Sequence, residues 1–509
     1  MSNQSFGPRL QSLLSSFLLL LIFGYLGYEG VNYYLQQNYF ARGTIIGDLD
    51  MTGLSAEQAS EKLSYYYLSP IILYDGDNEV QIMPHEVGFT IDIPQMIAIA
   101  QAQQTNTEWW EGYLNYLFKQ TDTYEPVPLI ASHNPDALAE RIETIARYLD
   151  NPATPPRPAG ESRIFQAGTP GQLVNRTTTI DNATPLLYQP HDRQAPIHIE
   201  DQPAPPFNLE ETLYRAIENE LLGFDGFASI VIIDLQTGEE LSINGDVAIS
   251  GLSVIKIAIM LETYRAIENA TFDQQKLLTE TAVNSGNYSA NLLLDVVAGQ
   301  DNAYLGSDIL TNSMHRLGLK NTFIAVPYEE PARAGRETYA TPANTRTDIN
   351  LYPDPAMQTT AEDMASLLAM IYQCAKGGGA LMAVYPDQFT PDECQNLIDL
   401  MAQNVEGNLI RFGVPENAVV SHKHGWAQAT HGDAGIVYSP GGDYIIVEYL
   451  HQPGDWLVSE VSFPILRQIS RVTYNYFNHD DPFIEEHAIL EELLRQEQEA
   501  LQQEQDALQ

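Results

Sequence analysis

Ser253 and Lys256 stand three residues apart at the start of an apolar run, and their types suit nucleophilic catalysis. On a helix, residues at i and i+3 share one face, so the lysine amine can reach the serine hydroxyl. A serine in the first helical turn also has free backbone N–H groups beside it, which suit a developing oxyanion. Burial among apolar neighbours lowers the pKa of a lysine and makes it a base. The pair therefore predicts an activated serine, although the S-x-x-K pattern alone is weak evidence.

Two later segments restrict the interpretation. Ser285 and Asn287 form an S-x-N on a predicted loop that leads into an apolar helix. Lys423 and Gly425 form a K-x-G on a predicted strand, which a turn and a second strand over 434–438 follow. Three polar motifs in this order are far more specific than any one of them.

The three motifs resemble those of the penicillin-recognising serine hydrolases, and of class A β-lactamases most of all. Residues 227–234 and 238–239 resemble the opening hairpin of that family, and residues 359–364 resemble the start of its late helix. The resemblance covers roughly 208–477. It implies an α+β fold of the β-lactamase/transpeptidase type, in which helices flank an antiparallel sheet beside an all-helical subdomain.

The resemblance also implies catalytic roles. Ser253 would attack an amide carbonyl, and Lys256 would accept its proton directly or through water. Ser285 would pass a proton to the leaving nitrogen. The backbone N–H groups of Ser253 and Trp426 would form the oxyanion hole.

A substrate-binding set is implied in the same way. Asn287 would hold the side-chain amide of the substrate, and Lys423 would attract its carboxylate. His424, Gly425 and Trp426 complete the set on the predicted strand.

Several positions depart from the class A pattern. Gly286 takes the place of the usual aspartate, and S-G-N occurs in D-Ala-D-Ala carboxypeptidases. His424 replaces the hydroxyl residue of the K-T-G motif, and Ala434 falls where class A enzymes usually carry an arginine. The stretch between Ser253 and Ser285 is also shorter than usual, as if a small subdomain region were missing.

The residue that would release the acyl-enzyme is left open by the sequence. Class A enzymes use a glutamate on a long loop to activate the deacylating water. In the corresponding region, 321–360, Glu329 or Glu330 fits this role, and Glu337 fits it less well. No E-x-x-L-N pattern selects one of them.

Residues 13–28 are almost wholly apolar and predict a membrane span. At 1.5 Å per residue they extend about 24 Å, close to the thickness of the hydrocarbon core of a bilayer. Arg9 and the amino terminus carry the only positive charges before this run, which places the amino end in the cytoplasm. A cleaved signal peptide is the alternative. Because no A-x-A-like site follows Tyr28, we expect an uncleaved single-pass anchor with the rest of the chain outside the cytoplasm.

The formal net charge of −42 argues against a nucleic-acid partner, because phosphate binding needs clustered lysine and arginine. Exposed charges are screened beyond about 8–10 Å, so Lys423 can still dominate a pocket for an anionic substrate. His422, His424 and His431 lie close together in the sequence. Only two of them share a predicted strand face, so we expect neither a metal nor another cofactor.

Cys374 and Cys394 are the two cysteines of the chain, and both fall on predicted helices. An oxidising compartment would permit a bridge between neighbouring helices. Two buried free thiols are the interpretation that the sequence slightly favours.

Proline-rich stretches over 151–158 and 202–206 predict loops or linkers. The predicted organisation is a cytoplasmic stub and transmembrane anchor over 1–42, an α+β module over 43–200, a linker over 201–207, a hydrolase domain over 208–478 and an acidic Glu/Gln-rich helical tail over 479–509. The module has a predicted capping box at Ser55 and Gln58. It resembles the peptidoglycan-binding module that often precedes catalytic domains in bacterial wall proteins, and a spacer is the alternative. The tail would pair with a partner helix or with another copy of itself, or remain solvated.

Three hypotheses follow for the whole chain. The first is a membrane-anchored extracytoplasmic serine hydrolase that opens β-lactams in response to antibiotics. The second is the same fold cleaving or sensing D-Ala-D-Ala wall peptides. The third is a non-catalytic wall-binding protein, against which the five separated polar residues of the motifs argue. The partners implied are a β-lactam or peptidoglycan-derived peptide, the membrane and peptidoglycan itself.

Overall fold

The computed structural model describes residues 7–105, 108–119, 124–159, 163–404, 406, 408–454 and 456–484. They divide into two compact units. The first holds the described residues up to Thr154 together with Thr169–Ala204, and the second holds Pro155–Gly168 and the described residues from Pro205 onward. Both units contain helices and strands, so the predicted α+β class is confirmed. Most of the predicted tail, from residue 485, lies outside the described residues.

The first part of the chain alternates short strands with helices. In chain order its elements are α1 (Gly7–Gln36), β1 (Ile45–Ile46), β2 (Leu49–Asp50), α2 (Ala56–Tyr67), β3 (Ile71–Asp75), β4 (Asn78–Ile82), β5 (Thr90–Ile91), α3 (Ile93–Thr105), α4 (Trp109–Leu117), β6 (Ala131–Ser132), α5 (Pro135–Leu149), β7 (Arg157–Pro158), β8 (Phe165–Gln166), β9 (Gly171–Val174), α6 (Arg176–Leu187), β10 (Gln194–Pro196) and β11 (Ile199–Gln202).

The core of the first unit forms where its helices cover a small sheet. Strands β10, β3 and β4 lie in that order, with β10 parallel to β3. Leu63, Tyr67 and Ile142 are fully buried in the core. The predicted capping box of α2 is confirmed, because Ser55 Oγ accepts from Gln58 N at 3.2 Å and Gln58 Oε1 accepts from Ser55 N at 3.0 Å.

Helix α1 is exposed and apolar. Its segment Ser12–Gln36 is long and apolar enough to cross a membrane, and a signal sequence would pass the same test. The prediction of an N-terminal apolar helix is therefore confirmed, and its topology stays a prediction.

The hairpin of β7 and β8 belongs to the second unit although the sequence-based division groups it with 43–200. Its Phe165 packs edge-on against Phe207 and Tyr476. Asn475 Nδ2 donates to the carbonyl of Arg163 at 2.9 Å. The proline-rich stretch over 151–158 thus ends in a strand of the second unit, which the proline content did not reveal.

The second unit carries the sequence motifs. A helical turn at Leu209–Leu213 leads into its elements, which are α7 (Tyr214–Glu220), β12 (Phe227–Asp234), β13 (Glu240–Ile243), β14 (Ile249–Ser250), α8 (Lys256–Ala266), α9 (Phe272–Val283), α10 (Asn287–Ala298), α11 (Ala303–Arg316), β15 (Phe323–Ile324), β16 (Met357–Thr359), α12 (Ala361–Ala375), α13 (Ala380–Val384), α14 (Pro391–Met401), β17 (Val419–Trp426), β18 (Thr430–Tyr438), β19 (Tyr444–His451) and α15 (Ser459–Phe477).

A five-stranded antiparallel sheet in the order β13-β12-β19-β18-β17 organises this unit. Side chains alternate between its two faces. We define the front face as the side of Lys423, which pairs with Ala434, and the back face as the side of His424, which pairs with Asp433. Val447 continues the front face and Glu448 the back face on β19.

Each face is covered by its own helices. The front-face core includes residues of α8 and α12, such as Ile257 and Leu368. The back-face core includes Leu466 and Ile469 of α15. Helices α9, α10 and α11 pack around α8 and each other, which agrees with the predicted helical subdomain.

Cys374 and Cys394 form a disulfide, with their Cα atoms 5.9 Å apart. The expectation of two free thiols is therefore wrong. The residues lie on α12 and α14, which pack directly against each other and bring both buried thiols into one contact.

Candidate active site

Ser253 lies in the turn directly before α8, at the edge of the front face. The preceding residue, Leu252, has a positive φ of 50°, an uncommon conformation for a side chain of this size. The hydroxyl of Tyr328 donates to the Leu252 carbonyl at 2.7 Å and supports this turn. Backbone strain of this kind is found mostly where a functional side chain must be held in one orientation.

Lys256, the first residue of α8, directs its amine toward Ser253. Lys256 Nζ lies 2.9 Å from Ser253 Oγ, 2.8 Å from Asn287 Oδ1 and 2.6 Å from the Ser285 carbonyl oxygen. The side chain is fully buried. Burial, with the nearby charge of Lys423 as a second cause, lowers the pKa of Lys256 to about 7, while Glu329 acts in the opposite direction. A substantial fraction of Lys256 is therefore neutral near pH 7 and able to accept a proton.

Ser285 connects the two lysines of the motifs. It precedes α10 with a positive φ of 56°. Its Oγ accepts from Lys423 Nζ at 2.9 Å and lies 3.4 Å from Lys256 Nζ. Ser253, Ser285 and Asn287 are partly exposed, and we call the surface that they share the cleft. With amines on one side, the Ser285 hydroxyl can give its own proton toward the cleft.

Lys423 projects from the front face of β17 and is fully buried. Besides Ser285, its amine donates to the backbone carbonyl of His424 at 2.9 Å. Burial lowers the pKa of Lys423 to about 8, against the opposing charges of Asp433 and Glu406. Below that pH, Lys423 supplies a fixed positive charge to the cleft.

Gly425 lets the edge strand β17 pass directly beside the serine. A Cβ at this position would lie 2.6 Å from the backbone nitrogen of Ser253 and 2.8 Å from Leu252 Cβ. Only glycine permits this approach. Because β17 is the last strand of the sheet, part of its backbone is left unpaired beside Ser253.

His424 and Trp426 were predicted to bind substrate, but the structure places their rings on the back face. The two rings stack with centroids 4.9 Å apart, and Asn404 Nδ2 lies 3.2 Å from His424 Nδ1. Burial and the charge of Lys423 lower the pKa of His424 to about 3, so its ring is neutral. The rings point away from the cluster because side chains alternate between the two faces along β17. His424 contacts the cluster only through its backbone carbonyl, which accepts from Lys423.

Glu329 is the residue that sequence reasoning left undecided. Its Oε1 accepts from Asn287 Nδ2 at 2.8 Å, and its charge raises the pKa of Lys256. Glu330 instead acts on Asp295 and Tyr304, away from the lysine. The structure therefore separates two neighbouring glutamates that the motif could not.

Sequence reasoning did not predict that Tyr328 and Asn291 belong to this site. Asn291 clamps the Tyr328 backbone, donating to its carbonyl at 2.8 Å and accepting from its N–H at 3.0 Å. Lys256 Nζ lies 4.6 Å from the centre of the Tyr328 ring. The second S-x-N, at Ser289 and Asn291, was the available signal, and it positions the loop that carries Glu329.

The three neighbouring histidines have separate partners. His422 Nδ1 lies 2.8 Å from Asp433 Oδ2, and His431 Nδ1 lies 2.6 Å from Ser462 Oγ. Across the described ranges, no group of three His, Cys, Asp or Glu side chains is arranged to hold a metal ion.

The sequence matches the beta-lactamase enzyme family over residues 212–284 and 269–477, which together exceed half of the chain. The chain belongs to the beta-lactamase enzyme family. The matched region contains the motifs from Ser253 to Lys423 and the sheet that positions them. None of the curated proteins matches this sequence.

Solved structures with a similar fold include PBP-A, with a TM-score of 0.41, 20% identity and coverage of 54% of this chain and 98% of that chain. A beta-lactamase from Sphaerobacter thermophilus DSM 20745 gives a TM-score of 0.40 and 17% identity, covering 53% of this chain and 98% of its own. A beta-lactamase from Xanthomonas campestris pv. campestris gives a TM-score of 0.40 and 16% identity over the same shares. Identities of this size do not assign a substrate to this chain.

Proposed function

We propose that the protein is a membrane-anchored extracytoplasmic serine hydrolase that opens the β-lactam amide through an acyl-Ser253 intermediate. The observation that carries the proposal is the 2.9 Å contact between Ser253 Oγ and Lys256 Nζ. A nucleophile within hydrogen-bond reach of a base whose pKa lies near the working pH is the arrangement that acyl transfer needs.

Acylation would proceed through the residues around Lys256. The amine of Lys256 takes the proton of Ser253, and Oγ forms a bond to the carbonyl carbon. The C–N bond then breaks, and Ser285 gives its proton to the leaving nitrogen. Its contacts with Lys256 and Lys423 provide a route by which that proton is replaced.

The oxyanion would be stabilised by the backbone N–H groups of Ser253 and Trp426. The close approach of Gly425 to the Ser253 nitrogen supports this role, because it brings the two backbone segments together. Each such donor is worth about 3–4 kcal/mol in the transition state. Lys423, at the position paired with Ala434, would supply the charge for a substrate carboxylate.

Ser253→Ala tests the acylation proposal. A fluorescent penicillin should label the wild-type chain covalently and should not label the variant, since the attacking oxygen is missing. Ser242→Ala is the matched control, because Ser242 is an exposed residue of β13, the strand at the opposite edge of the sheet from β17. Undiminished labelling of Ser253→Ala would remove the assignment.

Turnover would depend on Glu329, which we assign as the base that activates the deacylating water. The contact with Asn287 holds its carboxylate at the site, and its influence on Lys256 supports proximity to the acyl bond. Glu329→Gln should slow deacylation by about 10²–10⁴-fold, so that the adduct accumulates in intact mass spectra. Glu330→Gln should turn over like the wild type.

A long-lived adduct in the wild-type chain would instead favour the peptidase or sensor function. Gly286 is the sequence feature in favour of that alternative. Hydrolysis of a D-Ala-D-Ala peptide, followed beside that of a chromogenic cephalosporin, separates the two substrates.

The exposed apolar segment of α1 supports the proposed membrane location. The full chain should stay in the membrane fraction, and protease added to spheroplasts should digest the hydrolase unit. Complete protection, with a known outward-facing membrane protein digested, would reverse the topology. Binding of peptidoglycan by 43–200 stays a prediction that cosedimentation of the chain with purified sacculi tests.

A further inference from the structure

We propose that α4 is a second membrane contact, an interfacial helix whose apolar stripe lies in the headgroup region of the bilayer that α1 crosses. The stripe consists of Trp110 and Leu114 of α4 and of Phe118, the residue that caps its C-terminus. This inference rests on the membrane anchoring proposed above, and it assigns a partner to a surface that catalysis does not use.

One face of α4 is fixed to the C-terminal part of α1. The hydroxyl of Tyr113 donates to the carbonyl of Leu26, and the hydroxyl of Tyr116 donates to Glu29 Oε2 at 2.8 Å. The Tyr33 ring packs against Tyr113 and Tyr116, with centroids 5.8 and 5.5 Å apart. The position of α4 along α1 is therefore defined by several independent contacts.

The adjacent stripe of α4 is apolar and exposed. Trp110, Leu114 and Phe118 follow at i, i+4 and i+8, which places them in one row. Their exposed fractions are 60%, 41% and 72%. Single exposed apolar residues are ordinary, but a continuous row with large aromatic rings indicates a surface that is covered in use.

The level of the contact along α1 identifies the covering partner. The apolar segment begins at Ser12, and at 1.5 Å per residue Leu26 lies about 21 Å and Tyr33 about 32 Å further along the axis. The hydrocarbon core of a bilayer is about 30 Å thick, so α4 meets α1 at the outer boundary of the membrane. Tryptophan and tyrosine are enriched at that boundary, because their rings combine an apolar body with a polar group.

The charges of α4 indicate which class of lipid it would contact. Glu111 is the single charged residue within α4, and the flanking Glu108 and Lys119 add one charge of each sign, so the helix has no cationic face that would attract anionic lipids. Insertion would be driven by apolar area, and zwitterionic phosphatidylcholine should suffice.

The experiment uses the full chain in vesicles. The sequence has four tryptophans, and replacing Trp426 and Trp456 by phenylalanine leaves Trp109 and Trp110 as reporters. Phosphatidylcholine with brominated acyl chains should quench their fluorescence, relative to the same lipid without bromine. Trp110→Phe in this background should remove most of the quenching, whereas Tyr148→Ser, which removes an aromatic ring that is 86% exposed, should leave it unchanged. Melting temperatures check that each variant is folded.

The outcomes separate this inference from the proposed anchoring. If the chain floats with vesicles but its tryptophans are not quenched, α4 does not touch the bilayer and the anchor proposal stands. Quenching that Trp110→Phe leaves unchanged contradicts the assignment of the stripe. If the chain does not float with vesicles, the anchoring fails and this inference fails with it.

Discussion

The front and back faces of strand β17 both bury charged groups, but they satisfy them differently. On the front, Lys423 donates to the Ser285 hydroxyl and to a backbone carbonyl, and it lies beside the cleft. On the back, Asp433 is fully buried against His422. His422 and Lys423, consecutive residues of β17, therefore meet different partners, His422 the buried carboxylate of β18 and Lys423 the proposed catalytic cluster. A shift of one residue in the pairing of β17 would exchange the two sets.

The back face holds the strand in its register. Asp433 accepts from the backbone N–H groups of Ile410 and Ala434 as well as contacting His422. Although burial opposes its ionisation, His422 and these bonds hold the pKa of Asp433 below its ordinary value. Glu448 lies nearby on the same face, and within the described part of the chain neither of its carboxyl oxygens has a hydrogen-bond partner. Burial raises the pKa of Glu448 well above its ordinary value, so it is held as the neutral acid.

The largest effect on the rate of acylation is expected from replacing Lys256, the proposed base. Lys256→Met should lower the rate of acylation of Ser253 by about 10²–10⁴-fold, because the nucleophile loses its proton acceptor. Its melting temperature should not fall, since burying an amine is costly and methionine is not. Lys276→Met, at an exposed position of α9, should acylate normally. Normal acylation of Lys256→Met would mean that another group is the base.

The next largest effect is a loss of stability when the buried carboxylate of the back face is removed. Asp433→Ala should lower the free energy of unfolding by about 3–5 kcal/mol, since it leaves His422 and two backbone donors without their buried acceptor. Urea denaturation measures it, and Asp301→Ala, at an exposed loop position, should change the value by less than about 0.5 kcal/mol. If Asp433→Ala unfolds like the wild type, the support role of the back face is wrong.

The two faces also show how far the sequence could go. Motif order predicted that Ser253, Lys256, Ser285, Asn287 and Lys423 belong together, and the structure places their polar atoms in one cluster. Strand alternation alone would have placed the His424 side chain on the face opposite Lys423, but the resemblance to the K-T-G motif assigned it to substrate binding. The role of Glu329 depends on a loop conformation with a positive φ of 58°, which no local pattern encoded. The expectation of two free thiols was wrong for a different reason, because the disulfide depends on how α12 packs on α14.

A smaller, pH-dependent effect is expected at Glu448. Its folded pKa is raised, so above the pH at which the unfolded carboxyl ionises, the folded chain holds a proton that the unfolded chain has lost. The contribution of Glu448 to wild-type stability therefore decreases as pH rises, by up to about 1.4 kcal/mol per pH unit. Glu448→Gln lacks this penalty, so its stability relative to the wild type should improve between about pH 5 and 7. Glu268→Gln, on the surface, should show no such trend, and a pH-independent difference for Glu448→Gln would mean that the buried acid is ionised.

The smallest effect tests whether the charges of Lys423 and Glu329 set the pKa of Lys256. Acylation measured in single turnovers should rise with pH through about 7 as Lys256 loses its proton, and should fall above about 8 as Lys423 loses its charge. Because Lys423 lowers the pKa of Lys256 and Glu329 raises it, Lys423→Gln should move the rising limb to higher pH and Glu329→Gln should move it to lower pH. Glu330→Gln should leave it in place. Shifts of both variants in the same direction would show that the limb does not report Lys256, and the base would then have to be sought among the other groups that contact Ser253.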